Sequence, residues 1–459
     1  MDGGVLIDAG ALLVREISLF AAAGFLLLGA GDLAIDIIWL GLKLRRRLRR
    51  NIPSACAATL AAPAHPGRIA IFVPAWDEAA VIGPMLRHAL AAWGTSDFRI
   101  FIGCYPNDPE TAQVVRSIAD PRLRLVVGDC AGPTTKADCL NLLWRALLEE
   151  ERVAGPRFKA VVLHDAEDVV HSAELRIFDT LIERFDLLQL PVLPLIDRSS
   201  RWIAGHYADE FAESHGKEMV VREALGAGLP SAGVGCAISR SALGALAERD
   251  GTPFDPASLT EDYELGLKLK ALGRSGAFVR LPAGPNGAAI ATRGHFPSRW
   301  RDAITQKSRW ITGIALSGWD RLGWHGGFAE RWMRMRDRQV LLAALLMCAA
   351  YAALLMAAPL ATLAQLVGHP VQLVTPTLAF MMDVAAALLV WRLAMRFAFV
   401  TRCYGWREGM RAIPRVVVSN AIAIIAAREA VGRYLRIRRT GEALWGKTSH
   451  IFPSRIPAE

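Results

Sequence analysis

Six short segments of this 459-residue chain carry side chains able to do polar chemistry. In chain order they are Val73-Pro-Ala-Trp-Asp-Glu78, Tyr105-Pro-Asn-Asp108, Lys136-Ala-Asp-Cys-Leu-Asn141, His164-Asp-Ala-Glu-Asp168, Thr260-Glu-Asp262 and Gln306-Lys-Ser-Arg-Trp310. Carboxylates dominate them. Clustered carboxylates can hold a hard divalent cation through oxygen, and a single one can take a proton from a hydroxyl. Lys136 and Arg309 add cations suited to phosphate oxygens. Gln306, Arg309 and Trp310 share one helix face at i, i+3 and i+4. His164 and His171 flank the acids, but without further histidine or cysteine nearby they do not make a zinc set. Each segment alone has a plainer reading. An acidic cluster after a strand decorates a surface, and Lys136 stands on a solvated helix face. Thr260 caps the helical run Tyr263–Leu272, and the Gln306 face rests on lipid, as Trp300, Trp319 and Trp324 also suggest. It is the joint occurrence of all six, in this order, that calls for a common site.

Such a site needs a scaffold, and the hydrophobic pattern supplies one. Residues 68–74, 98–105, 122–127 and 159–164 are short apolar runs, while 78–93 and 135–151 have helical spacing. Strands alternating with helices predict a doubly wound α/β sheet with functional groups at the strand carboxyl ends. Two of the chemical segments, 105–108 and 164–168, fall at such ends. A Pro/Ala-rich stretch precedes the first strand.

Around this domain lie apolar segments. Residues 17–43 are apolar apart from Asp32, Asp36 and Lys43. Residues 339–366 carry no charge, and 371–391 carry only Asp383. Each can cross a hydrocarbon core of about 30 Å, which takes ~20 helical residues. A signal peptide does not explain the first, because the residues before it are not basic on balance, Arg15 standing against Asp2, Asp8 and Glu16, and arginines follow it. Arginines at 45–50, 331–338 and 433–439 account for the net charge of +9, so they read as anchors to anionic lipid rather than as a nucleic-acid surface. The expected layout is residues 1–16 outside, a span at 17–43, a basic linker at 44–67 and a catalytic domain at 68–298. Interfacial helices follow at 299–338, spans at 339–366 and 371–397, an interfacial helix at 412–440 and a cytoplasmic tail at 441–459. The seven scattered cysteines, with no CxxC pair, read as reduced thiols in a cytoplasmic compartment.

The ordered segments resemble family 2 glycosyltransferases of the GT-A fold over about residues 68–340. A closer likeness extends over nearly the whole chain, through His206–His215, Pro230–Arg240 and Trp445–Pro453. It is to the bacteriophage N4 adsorption protein B group of bacterial inner-membrane glycosyltransferases, linked to exopolysaccharide. Many of that group carry a further C-terminal cyclic-di-GMP-binding domain, which is absent from this sequence. The resemblance implies an inverting transfer from a UDP-sugar with Mg²⁺ or Mn²⁺ as cofactor. It assigns the metal to Asp165 and Glu167, with Asp168 as competitor because glutamate stands where the family has aspartate. The donor would be met by Pro74, Trp76, Glu78, Asn107, Asp108, Lys136, Asp165 and Arg309, with Asn107 and Asp108 at the uracil and ribose. Asp262 would be the general base, with Glu261, Gln306 and Trp310 closing over acceptor and diphosphate. Trp445, Lys447, Thr448 and His450 would form a loop gating the nucleotide.

The implied partners are a UDP-sugar, a polysaccharide or lipid-linked acceptor, membrane lipids, and an outer-membrane export partner or further copies of the chain. Nucleic acid is not among them. Two rival readings are a glycolipid synthase acting on a lipid acceptor and a silent receptor or export scaffold. The acids at 165, 167 and 262 argue against the scaffold. One expectation lies outside the motifs. Asp32 and Asp36 share a face inside the first span, where a carboxylate costs about 2.5–3.5 kcal/mol, and Asp36 is expected to pair with Arg392 or Arg396.

Overall fold

The computed structural model describes residues 3–48, 55–285, 287–441 and 450–456. Its centre is a seven-stranded sheet of β1 (Ile69–Pro74), β2 (Phe98–Cys104), β3 (Leu123–Val127), β4 (Ala160–Leu163), β5 (Leu187–Gln189), β6 (Cys236–Ser239) and β7 (Gly276–Phe278). The spatial order is β3-β2-β1-β4-β6-β5-β7. Pairs among β1–β4 are parallel, whereas β6 runs antiparallel to both neighbours, so the sheet is mixed rather than wholly parallel.

Alternation along β1 explains the layers. Ile69, Ile71 and Val73 point to one face, where Ile82, Met85 and Leu86 of α2 (Ala79–Trp93) cover them. Ala70 and Phe72 point to the other, against Leu140, Leu143 and Leu147 of α4 (Lys136–Ala154). α3 (Pro109–Arg116), α5 (Glu174–Leu181), α6 (Ile203–Glu213), α7 (Met219–Ala224), α8 (Arg240–Asp250) and α9 (Glu261–Ala271) complete the domain. A π-helical turn, Ser214–Glu218, joins α6 to α7.

The remaining helices are α1 (Gly3–Leu48), α10 (Trp300–Ile311), α11 (Gly318–Leu322), α12 (Phe328–Arg338), α13 (Val340–Leu366), α14 (Pro376–Tyr404) and α15 (Trp406–Thr440). Among the described residues, α1, α13, α14 and α15 are long and apolar enough to cross a membrane. Two boundaries differ from the expected layout. α1 begins at Gly3, so most of the expected outer N-terminus is helix. The segment expected as a short interfacial helix from 412 begins at Trp406 and runs for 35 residues. It bonds both to the catalytic domain and to the helices that follow it. Near its start Arg415 pairs with Asp209 of α6, and near its end Tyr434 donates to Asp320 of α11 at 2.7 Å.

The expected partner of Asp36 is corrected. Asp36 pairs with Lys217 at 2.6 Å and accepts from the Trp391 indole at 2.8 Å. Arg392 instead pairs with Asp32, one turn away, which also meets Arg336 at 2.9 Å. Arg396 meets Glu213 at 3.4 Å. The reason is the π-helical turn, which inserts Lys217 beside α1 and takes the place foreseen for an arginine of α14. The α1–α14 clamp exists, displaced by one turn and shared with the catalytic domain.

Candidate active site

The site is assembled from strand ends and helix starts. β4 ends at Leu163, and the chain turns through His164–Asp168. His164 braces that turn: its Nδ1 lies 2.8 Å from Asp168 Oδ2 and its Nε2 2.6 Å from Glu174 Oε1. Burial disfavours the imidazolium, but Glu174 and Asp168 outweigh it and raise the His164 pKa to about 10. Asp168 Oδ2 also accepts the Asp165 amide at 3.0 Å. That oxygen of Asp168 is engaged in holding the turn, while the residue also lines the cavity described below.

Asp165 and Glu167 project from the braced turn. Asp165 pairs with Lys136 at 2.6 Å. Lys136 is the first residue of α4, whose start is fixed by a capping box between Thr135 and Asp138. Burial disfavours the Lys136 ammonium, yet Asp165, Glu261 and Asp262 more than compensate and raise its pKa. Glu167 is buried enough that its pKa is pushed up to about 8, with His450 opposing the shift.

A third strand end contributes Glu78. The turn after β1 places Asp77 at φ 55, a conformation held by the Asp77 amide donating to Asp108 Oδ2 at 2.5 Å. Asp108 also caps α3 through the Thr111 amide at 3.2 Å, and Asn107 bonds both the N–H and the carbonyl of Gly132 at 2.7 Å. Asn107 and Asp108, expected at the uracil and ribose, thus hold the backbone of the surrounding turns. Trp76 lies against Gly132, whose added Cβ would come within 2.5 Å of the indole nitrogen. Pro74 ends β1. Neither Pro74 nor Trp76 lines the cavity described next.

From 372 residues away, His450 Nδ1 reaches Glu78 Oε1 at 2.8 Å and lies 3.4 Å from Glu167 Oε2. Burial lowers the His450 pKa, and the two glutamates override it to about 9. Glu78, Glu167 and His450 offer ligand atoms all within 4.8 Å of one another. Among the described residues, Glu167 Oε2 is buried and accepts no hydrogen bond, having only the 3.4 Å ion-pair contact with His450. An orphaned carboxylate oxygen beside an imidazole and a second carboxylate fits a divalent cation. Lys447 and Thr448, together with Trp445, lie outside the described residues.

Glu167 and His450, though not Glu78, line a cavity of about 130 Å³ that is lined also by Asp262, in the first turn of α9. Burial raises its pKa, opposed by Lys136. Burial and Asp262 together push the Glu261 carboxyl up to about 7. Thr260 stands at the N-cap, but its hydroxyl makes no cap bond, which corrects the expected capping; it is buried and orphaned on the cavity wall. The loop Gly233-Val-Gly235 approaches Asp262 so closely that a Cβ at Gly233 would lie 2.4 Å from Asp262 Oδ2. With φ +75 there, glycine is required twice over. These glycines and the His164–Glu174 brace carry no role in the sequence reading; the G-x-G spacing at 233–235 is the one signal that could have pointed to a close backbone approach.

Gln306, Arg309 and Trp310 of α10 line the same cavity with Phe211 and Phe296. The Trp310 ring meets Phe211 and Phe296 edge-on, each with centroids 6.3 Å apart. Lys136, Asp165, Glu167, Glu261, Asp262, Gln306, Arg309 and Trp310 thus converge as expected from their order.

Residues 65–313 match the family described as glycosyltransferase like family 2. This chain belongs to that family. The curated relatives matched by this glycosyltransferase are bacteriophage adsorption protein B of Escherichia coli K12 and bacteriophage N4 adsorption protein B of Escherichia coli O157:H7. Each is 34% identical over 96% of the chain, which spans 62% of the relatives' length. Among solved structures, a mannosyltransferase from Pyrobaculum calidifontis, in complex with GDP-mannose and Mn²⁺, aligns over 91% of this chain and 99% of its own. Its TM-score is 0.52 at 16% identity, a likeness of GT-A fold.

Proposed function

We propose that this family 2 glycosyltransferase moves a hexose or N-acetylhexosamine from a UDP-sugar, with inversion, onto a growing cell-envelope polysaccharide. The catalytic domain would face the cytoplasm at the bacterial inner membrane. The observation that carries this reading is a single cavity lined by Asp262, Glu167, His450, Lys136 and Arg309, with Glu78 behind it within ligand distance of Glu167 and His450. Kinship with envelope adsorption proteins supports the setting. The arginine clusters next to the spans support the orientation.

The chemistry follows from what each group can do. Asp262 takes the proton of the acceptor hydroxyl, which is a poor nucleophile without a base. Trp310, Phe211 and Phe296 give an apolar wall on which a sugar ring can stack. Lys136 and Arg309 place positive charge where a diphosphate would leave. Glu167, Glu78 and His450 would hold Mg²⁺ or Mn²⁺, with Asp165 available once Lys136 turns to the phosphates. Such an ion supplies charge neutralisation for the departing nucleotide. A base and a leaving group on opposite sides of the anomeric carbon give inversion. Purified protein incubated with a panel of UDP- and GDP-sugars and Mn²⁺ or Mg²⁺ tests the donor. Nucleotide release from one UDP-sugar supports the reading, and release only from GDP-sugars overturns the donor assignment.

A further inference from the structure

The triplet Ser-Arg-Trp occurs three times in the chain, at 200–202, 298–300 and 308–310. The third faces the cavity. The first two are 98 residues apart in sequence and side by side in space, because the Ser200 hydroxyl donates to the Ser298 carbonyl at 2.5 Å. Paired extended segments lead to them, with bridges Val192 to Thr292 and Leu195 to His295. Each turn opens a helix, α6 after Trp202 and α10 after Arg299.

What the two turns present is unusual for a surface facing only water. Trp202 is 51% exposed and Trp300 36% exposed. Around them stand Arg198, Arg201, Arg299 and Arg301, none of which makes an ion pair or side-chain hydrogen bond among the described residues. The carboxylates in segments 197–202 and 298–302 are Asp197 and Asp302, so four arginines against two aspartates leave +2. Asp197 is turned inward onto the Ser199 amide and hydroxyl at 2.8 and 2.7 Å. The patch adjoins two features already described. Phe296 and Pro297, immediately before the second turn, line the cavity. Ile203, immediately after the first, packs with Val418 and Ile422 of α15, whose Met410, Ile413 and Val417 are exposed.

We propose that the paired turns 200–202 and 298–300 form a platform that seats the mouth of the active-site cavity on the headgroups of an anionic bilayer. Indole rings favour the level of lipid headgroups, with the ring body in the acyl boundary and the N–H in the wet layer. The arginines beside them, unpaired among the described residues, supply fork-shaped donors for phosphodiester oxygens and are drawn to an anionic surface. The exposed apolar side of α15 continues the same face. The occupant is an anionic phospholipid of the membrane in which α1, α13 and α14 reside. This holds whichever sugar is moved, so it can fail without touching the transferase reading.

Hydrogen exchange followed by mass spectrometry on the full chain tests the platform. The protein is placed in detergent, in phosphatidylcholine nanodiscs and in nanodiscs containing phosphatidylglycerol. Amides of 198–204 and 298–303 should exchange severalfold more slowly with phosphatidylglycerol than in the other two. Replacing all four arginines, Arg198→Gln, Arg201→Gln, Arg299→Gln and Arg301→Gln, should remove that lipid dependence while the β1–β4 amides stay protected. Equal exchange of wild-type protein in both kinds of nanodisc would overturn the proposal, and that comparison needs no variant. Slowing in detergent by inorganic pyrophosphate to the same extent would also overturn it, by assigning the patch to a soluble phosphate.

Discussion

Glu167 and Asp262 reach the cavity by different routes, and the difference decides what each substitution should do. Glu167 carries an orphaned oxygen beside His450 and Glu78, so Glu167→Gln should abolish the gain in UDP affinity that Mn²⁺ confers, measured by calorimetry. An unchanged metal-dependent gain would move the ion to Asp165. Asp262 is positioned by the glycines packed against it. Gly233→Ala forces a Cβ against its carboxylate, and a displacement near 1 Å should lower kcat by a factor on the order of 10², with UDP binding retained. The acids at 165, 167 and 262 were legible because carboxylates at a strand end and a helix start have few other uses in combination. The structural part played by Asp108 was also legible: an aspartate followed by proline is an N-cap with proline at N1, and Asp108-Pro109 opens α3. His450 could be named as a tail residue, but no local pattern encodes a contact across 372 positions.

At the scale of elements, the strands and helices of the domain follow their apolar periods to within a few residues. The reversed β6 does not, because a four-residue buried run reads alike in either direction. The shared face of Asp32 and Asp36 was legible from one helical turn of spacing, whereas their partners were not. A π-helical turn adds a residue to the helix without leaving a period in the sequence, and it is this turn that carries Lys217 to Asp36. The pair is buried on both sides, where removing one partner costs about 3–5 kcal/mol. Lys217→Asp should therefore strip folded protein from the membrane fraction, and adding Asp36→Lys should restore much of it. Failure of the exchange to rescue would mean that Glu213 or Trp391, rather than charge matching, governs the site.

For the whole molecule, four long apolar helices surround one catalytic domain, and α15 separates length from topology. Its 35 residues span about 52 Å at 1.5 Å per residue, yet Arg415 touches α6 of the catalytic domain while Tyr434 touches α11, in the segment foreseen as interfacial. The expected interfacial placement of α15 makes a prediction that a spanning α15 would not meet. Trp406→Cys and Arg438→Cys should then both react with an impermeant thiol reagent from the cytoplasmic side of membrane vesicles; labelling from opposite sides would make α15 a span. The composition could not decide this, since the apolar stretch within α15 serves equally for a span and for a face packed on α10. The central claim concerns chemistry at the cavity these helices carry to the membrane, and one variant examined two ways tests it. With Asp262→Asn, calorimetry should show UDP and Mn²⁺ binding as in wild type, while UDP release from the sugar donor falls by a factor on the order of 10² to 10⁴. Release within a few-fold of wild type would contradict the account by removing the base from the mechanism.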